Sequence, residues 1–263
     1  MNRYTSSKWK RKRKKRRIQI IISVLVIVIN SILIWAWNGY RNESMIREIG
    51  IIYFEQGDYK KAEEMFVSAL ELHTIFSWNL SQDIRYYLAE SYFQEKKYEK
   101  ALAVYEEIEK HEKDTSYVLC YKGACYAKLK QEKKAKLLFE EAISLGNVEG
   151  YHYLSKMYYD LGKYEKAIAS EKNFMEVREA DGSSYQILAK SYSKAGKFKE
   201  AIQTIEKGIA LDDAQKQSLM FEEIIIYEQK LDFSMAYEKC LAYVSMYPED
   251  EQAKLELEFL ETR

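Results

Sequence analysis

The pattern that decides the fold appears in residues 154–167, LSKMYYDLGKYEKA, and again in residues 188–201, LAKSYSKAGKFKEA. In both stretches an apolar and a small residue precede a tyrosine. A glycine follows four positions after the tyrosine, and an alanine nine positions after it. A glycine at this place is typical of a helix end, and small residues on two helices let their backbones approach closely. The pattern therefore predicts a pair of packed helices joined by a tight turn.

The same tyrosine-to-alanine spacing of nine occurs six times beyond residue 41. The pairs are Tyr53/Ala62, Tyr92/Ala101, Tyr126/Ala135, Tyr158/Ala167, Tyr192/Ala201 and Tyr227/Ala236. Successive alanines are 39, 34, 32, 34 and 35 residues apart. A period near 34 with this pattern resembles the tetratricopeptide repeat (TPR), a helix–turn–helix unit that stacks into a solenoid. We include these twelve signature residues among the candidate site residues, in a packing role.

The resemblance covers about residues 43–248 and implies an all-α fold. We predict six repeats followed by a cap helix at residues 249–263. The repeats are residues 43–76, 82–115, 116–147, 148–181, 182–216 and 217–248. Lys122, Glu132, Glu223 and Ile224 depart from the usual residue types, which predicts looser joints in repeats three and six.

The first spacing is five residues too long, and the extra segment at residues 75–80 is apolar and aromatic. Two interpretations stay open. The segment folds back onto the first two repeats, or it forms an exposed partner contact.

Residues 18–40 contain no charged side chain. The 20 residues from Ile18 to Trp37 span about 30 Å as a helix, the thickness of a bilayer's hydrocarbon core. Trp35, Trp37 and Tyr40 lie at the far end, where aromatic rings favour the membrane interface. The segment lacks a small-x-small cleavage site, so we expect an uncleaved signal anchor.

Charge is distributed unevenly around this segment. Residues 1–17 carry ten basic residues and no acidic one, although the whole chain has 41 of each sign. The positive-inside bias predicts a cytoplasmic tail at residues 1–17 and an extracytoplasmic array at residues 41–263 of a single-pass plasma-membrane protein. The tail is expected to attract anionic lipid. Nucleic-acid binding by the basic run is less favoured, because a span follows directly.

Motifs for catalysis or metal binding are missing from the sequence. The histidines at 73, 111 and 152 lack metal-ligand spacing, and the three cysteines at 120, 125 and 240 suit no disulfide framework. We therefore predict a protein that is not an enzyme and has no cofactor, with buried cysteines.

The resemblance implies that peptides or proteins bind in a concave groove lined by the first helix of each repeat. The candidate groove residues are Arg47, Phe54, Tyr86, Phe93, Tyr117, His152, Lys156, Tyr159, Gln186, Lys190 and Lys194. Their character changes from aromatic to basic along the array, which suits a segment with apolar anchors and a negative end. The alternative is that these are ordinary solvated helix faces.

The function expected is a tethered scaffold or chaperone-like adaptor for envelope or secreted proteins. The alternative is a membrane-bound regulator whose basic tail contacts a cytoplasmic effector while the repeats sense a ligand.

Overall fold

A computed structural model describes residues 3–72 and 77–263, with side chains for residues 15–16, 19–72 and 77–263. Over these residues the secondary structure consists of thirteen α-helices, so the prediction of an all-α fold is confirmed. The helices are α1 Arg3–Glu55, α2 Tyr59–Glu71, α3 Trp78–Gln94, α4 Tyr98–Glu109, α5 Ser116–Lys128, α6 Glu132–Ser144, α7 Glu149–Asp160, α8 Tyr164–Val177, α9 Gly182–Lys194, α10 Phe198–Ile209, α11 Lys216–Gln229, α12 Phe233–Met246 and α13 Glu251–Leu260.

The chain forms two compact units, residues 1–110 and residues 111–263. The first unit contains α1 to α4, and its core includes Phe66, Ile84 and Leu88. The second unit contains α5 to α13. In both units consecutive helices pack as antiparallel pairs, which is how a helix with one apolar face buries that face.

Helix α1 runs for 53 residues without interruption. Its part from Gln19 to Glu55 is long and apolar enough to cross a membrane, with a mean hydropathy of 2.6 over its most apolar stretch. Its C-terminal part packs against α2. The apolar segment and the first helix of the first pair are therefore one continuous element.

Close approach of the paired helices depends on opposing small and large side chains. The six signature alanines lie on the second helix of each pair, and all of them are fully buried. A Cβ added at Gly50 would lie 2.6 Å from the Phe66 ring, and one at Gly123 would lie 2.5 Å from Phe139. These glycines are thus required for the rings to fit, as the sequence pattern predicts.

Repeat six reverses this volume pattern. Ile224 occupies the small-residue position and is fully buried, while the helix opposite carries Cys240 in place of a large side chain. Beside them, buried Glu223 pairs with Lys239 at 2.7 Å. In repeat six a small cysteine therefore compensates for the volume of the isoleucine.

Each helix pair is joined by the same turn. The residue four after the signature tyrosine has a positive φ in all six pairs, and the tyrosine carbonyl accepts a hydrogen bond from the amide five residues on. The turn residue is Gly57, Lys96, Lys130, Gly162, Gly196 or Leu231. This geometry ends each helix with a left-handed residue that satisfies its last carbonyls.

Ion pairs connect neighbouring helix pairs within each unit. Lys97 contacts Glu63 at 2.6 Å, Lys163 contacts Glu132 at 2.5 Å and Lys197 contacts Glu165 at 2.8 Å. The acidic residue at 132, which departs from the family pattern, thereby gains a partner in the next repeat.

Residues 73–76 lie outside the described residues, so Ile75 and Phe76 of the segment predicted to fold back or bind a partner are not described. Its end, residues 78–80, begins α3. Cys120, Cys125 and Cys240 are all buried. Desolvation raises the pKa of the Cys120 thiol to about 12 and that of Cys240 to about 11, so neither thiol is reactive at neutral pH.

Candidate protein-binding groove

The first helices of successive pairs lie side by side. In the second unit, α5 contacts α7, α7 contacts α9 and α9 contacts α11; in the first unit, α1 contacts α3. We call the surface that carries the candidate residues on these helices the groove face.

The signature residues do not belong to the groove face. The six alanines have no exposed surface and cannot contact a ligand: they are Ala62, Ala101, Ala135, Ala167, Ala201 and Ala236. The reason is that each one lies where the two helices of a pair approach most closely. The six signature tyrosines are buried or half-buried: they are Tyr53, Tyr92, Tyr126, Tyr158, Tyr192 and Tyr227. Both sets therefore support the groove by packing and do not form part of a binding surface.

Arg47 in the first unit is occupied by internal contacts. Its Nε donates to Asp83 Oδ2 at 2.5 Å and one terminal nitrogen donates to Glu48 at 2.6 Å. Its guanidinium also lies 5.7 Å from the centre of the Tyr87 ring. These partners leave little of the Arg47 charge for a ligand carboxylate.

The two candidate phenylalanines of the first unit pack against the turns. Phe54 packs edge-to-face on Tyr59, and Phe93 packs in the same way on Tyr98, with ring centres 5.3 Å apart in both pairs. Both phenylalanines are half-buried, as is Tyr86. The aromatic pair five residues apart is a signal that sequence reasoning missed, and it gives these rings a structural role.

A polar cluster lies on the groove face of the second unit. Lys190 Nζ is 3.3 Å from Glu222 Oε2 and 5.8 Å from the centre of the Tyr159 ring. Burial and the Glu222 carboxylate raise the pKa of Tyr159, so its hydroxyl stays protonated at neutral pH. The cluster brings together one residue each from α7, α9 and α11. Its acidic member, Glu222, was not among the residues predicted from the sequence.

Hydrogen bonds extend this cluster between α9 and α11. Gln186 Nε2 donates to Ser218 Oγ at 2.7 Å, and Ser193 Oγ donates to Gln229 at 2.9 Å. The first of these contacts and the Lys190–Glu222 pair both join residues 32 apart. Because 32 residues is close to the repeat period, the spacing could have predicted both pairings from the sequence.

His152 is buried rather than exposed on the groove face. Its Nδ1 lies 2.9 and 3.0 Å from the two carboxylate oxygens of Glu171, which is fully buried. Its ring also contacts Phe174. The side chain therefore links α7 to α8 and presents little surface to a partner.

Two candidate lysines of the groove face, both in the second unit, are exposed. Lys156 and Lys194 have no carboxylate within ion-pair distance among the described residues. Desolvation lowers the pKa of Lys156 although the side chain is open to solvent.

Tyr117 lies in the first turn of α5 and is 53% exposed. It lines a polar cavity of about 160 Å³ together with Asn147 and Arg178. The ion pair between Arg178 and Glu149 borders this cavity, which lies within the second unit. Tyr117 is thus separate from the cluster at Tyr159 and Lys190.

Two family models of the tetratricopeptide repeat match the sequence, at residues 47–115 and residues 182–215. Over these two ranges the chain is a tetratricopeptide repeat protein. No curated protein is significantly similar to it in sequence. Arrays of this family are generally non-catalytic scaffolds for protein interactions. In the described part of the chain, no group of three or more His, Cys, Asp or Glu residues is suited to hold a metal ion.

Solved TPR structures share the fold. PilW, a type IV pilus biogenesis factor, superimposes with a TM-score of 0.63 at 16% identity, over 82% of this chain and 98% of its own. Pseudomonas aeruginosa pilF gives a TM-score of 0.54 at 17% identity, over 84% and 98%.

A chain of the APC/C Cut9–Hcn1 complex gives a TM-score of 0.62 at 14% identity and covers 83% of this chain. This chain spans only 42% of the length of that neighbour. At such identities the three similarities establish the fold alone.

Proposed function

We propose that this TPR protein is a membrane-anchored, non-catalytic scaffold or chaperone-like adaptor that binds protein or peptide partners at the cell envelope. The observation that carries the proposal is helix α1. It joins an exposed apolar segment, with side chains such as Ile27 and Trp35 open on its surface, directly to the first repeat. An apolar surface of this length needs a bilayer or a partner to cover it.

The charge pattern supports an orientation with the basic tail in the cytoplasm. Ten basic residues precede the apolar segment and the acidic excess follows it. Anionic lipid would hold the tail at the inner surface. In this orientation the repeats lie outside the cytoplasm, and the partners are envelope or secreted proteins.

The second unit offers the groove surface that best fits a partner. Lys156 and Lys194 are exposed cations without ion-pair partners among the described residues. Tyr159, three residues after Lys156, adds a half-buried aromatic ring. An extended segment with an aromatic or apolar anchor and acidic residues matches this chemistry. Tethering raises the effective concentration of such a segment on a neighbouring membrane protein, so modest affinity suffices.

Site-specific photo-crosslinking tests this function. A photoreactive residue replaces Tyr159 or Lys194 on the groove face, and Lys207 on the second helix of repeat five is the exposed control. We expect discrete adducts in native membranes from the two groove positions and not from the control. Equal background labelling at all three positions would contradict partner binding in the groove.

A further inference from the structure

The apolar part of α1 contains three exposed polar side chains on one stripe. Gln19, Ser23 and Asn30 are all open on the helix surface. At about 100° per residue they lie within roughly 40° of one another around the axis. Ser31 lies about 120° away from Gln19, and its hydroxyl is already bonded to the Ile27 carbonyl at 2.9 Å.

Asn30 is the member of the stripe that most needs a partner. It lies about 4 Å along the axis from the centre of the segment between Ile18 and Trp37. Its carboxamide makes no hydrogen bond among the described residues and is too short to reach the lipid headgroups from there. An amide left unbonded in hydrocarbon is unfavourable, so a second polar group at the same depth is expected.

The same stripe has the spacing of a two-helix seam. Its residues follow one another in alternating steps of four and three, and every one of them is exposed. The residues of this seam are Gln19, Ser23, Val26, Asn30, Leu33, Trp37 and Tyr40. A heptad with one asparagine at an inner position is the pattern that specifies a parallel pair of helices.

We propose that this seam is the contact face of a parallel dimer of the anchor helix, in which the Asn30 carboxamides of two copies hydrogen-bond to each other. The proposal rests on the membrane anchor proposed above. A second copy is the occupant because an amide both donates and accepts. In a parallel two-fold pair, each Asn30 therefore meets a complementary group at its own depth.

The basic tails oppose this association without preventing it. Each tail brings ten positive charges next to the seam. Screening over a Debye length of about 8 Å and neutralisation by anionic lipid reduce the repulsion. The seam is consequently expected to give a reversible dimer rather than a permanent one.

Cysteine crosslinking of the full-length chain in membranes tests the dimer. Val26→Cys places a thiol on the seam, and Val28→Cys places one on the opposite face at nearly the same depth, as the matched control. The native cysteines are buried in the second unit and contribute little background. Under mild oxidation we expect at least about five-fold more disulfide-linked dimer from the seam position.

Variants at position 30 assign the contact. Adding Asn30→Leu to Val26→Cys is expected to reduce the amount of disulfide-linked dimer by about five-fold. Asn30→Gln keeps a carboxamide at this position and is expected to leave the amount of dimer unchanged. Equal crosslinking at the two thiol positions, or none at either, would overturn the proposal. Crosslinking only to a different protein would also overturn it and would assign the seam to that partner.

Retention of the chain after alkaline carbonate extraction is measured on the same membranes. A retained chain without dimer contradicts the seam alone. A chain released by carbonate contradicts the anchor as well, so the two failures are distinguishable.

Discussion

At the residue scale, the turns show how backbone geometry constrains the sequence. All six turn positions adopt positive φ, but only three of them are glycine. Lys96, Lys130 and Leu231 hold the same left-handed conformation with a Cβ, which costs about 1–2 kcal/mol for an L residue. The fold therefore tolerates backbone strain in three of its repeats.

Replacing Leu231 with glycine is expected to raise the free energy of unfolding by about 0.5–1 kcal/mol. The side chain is 74% exposed and has a φ of 62°, so its removal loses little packing. The reverse change, Gly162→Ala, is expected to lower stability. Urea unfolding of the detergent-solubilised chain measures both variants. A destabilised Leu231→Gly variant would contradict the strain argument.

A second residue-scale prediction concerns the reversed volumes of repeat six. Ile224→Ala is expected to cost about 2–4 kcal/mol by creating a cavity, and Cys240→Phe about 1–3 kcal/mol by overpacking. The double variant restores the arrangement of a small residue facing a ring, as at Gly50 and Phe66. We expect it to be at least about 1 kcal/mol more stable than additivity allows. Strict additivity would show that the two side chains do not share this space.

The residues that sequence reasoning found are those whose spacing repeats. The signature tyrosines and alanines occur in every repeat, which makes their packing role visible without a structure. The contact between Lys190 and Glu222 was missed, because a groove residue was compared with the family pattern and not with its neighbour one period away. His152 was placed on the groove face because its helical position alone does not reveal the buried carboxylate on the next helix.

At the element scale, α1 is the helix whose extent the sequence least reveals. Asn38 and Gly39 are residue types that often end a helix, but α1 continues past them to Glu55. Tertiary contacts explain the continuation, since fully buried Glu43 accepts a hydrogen bond from Ser81 of α3 at 2.6 Å. Intrinsic helix propensities do not take such tertiary contacts into account.

The cap helix α13 is held partly by a pair of carboxyl groups. Glu228 on α11 contacts Glu256 on α13, and its Oε1 is buried without a partner in the described part of the chain. Burial first, and then the neighbouring carboxylate, raise the pKa of Glu228 to about 7. Apolar contacts of Ala253 and Leu260 with the core of repeat six complete the docking of the helix.

This pair predicts a pH dependence of stability. A raised folded-state pKa means that the folded chain binds the proton more tightly. The stabilisation is therefore fully present below pH 4.5, the ordinary pKa, and is lost as the pH rises through about 7. Glu228→Gln mimics the protonated form and, once solvent screening of this partly exposed side chain is allowed for, is expected to gain about 1 kcal/mol over wild type at pH 8, and less at pH 5.5.

Unfolding curves at the two pH values measure this effect, with Glu258→Gln on the exposed side of α13 as the control. The control is expected to show no such difference between the two pH values. A gain for Glu228→Gln that is the same at both pH values would contradict the proton-linked contact.

At the scale of the whole molecule, the chain separates opposite charges on the two sides of one apolar segment. The formal net charge is zero, yet residues 1–17 carry ten positive charges and residues 41–263 a matching negative excess. One continuous helix joins the apolar segment to repeats whose groove face carries exposed lysines. Membrane tethering of a protein-binding surface accounts for these features together.

The most direct test of this account is protease treatment of intact cells whose outer layers have been opened, following an epitope tag placed after Arg263. The account predicts that the tag is lost while cytoplasmic marker proteins survive, because the repeats face outward. A tag that stays protected until the membrane is lysed would contradict the proposed orientation and would place the repeats in the cytoplasm.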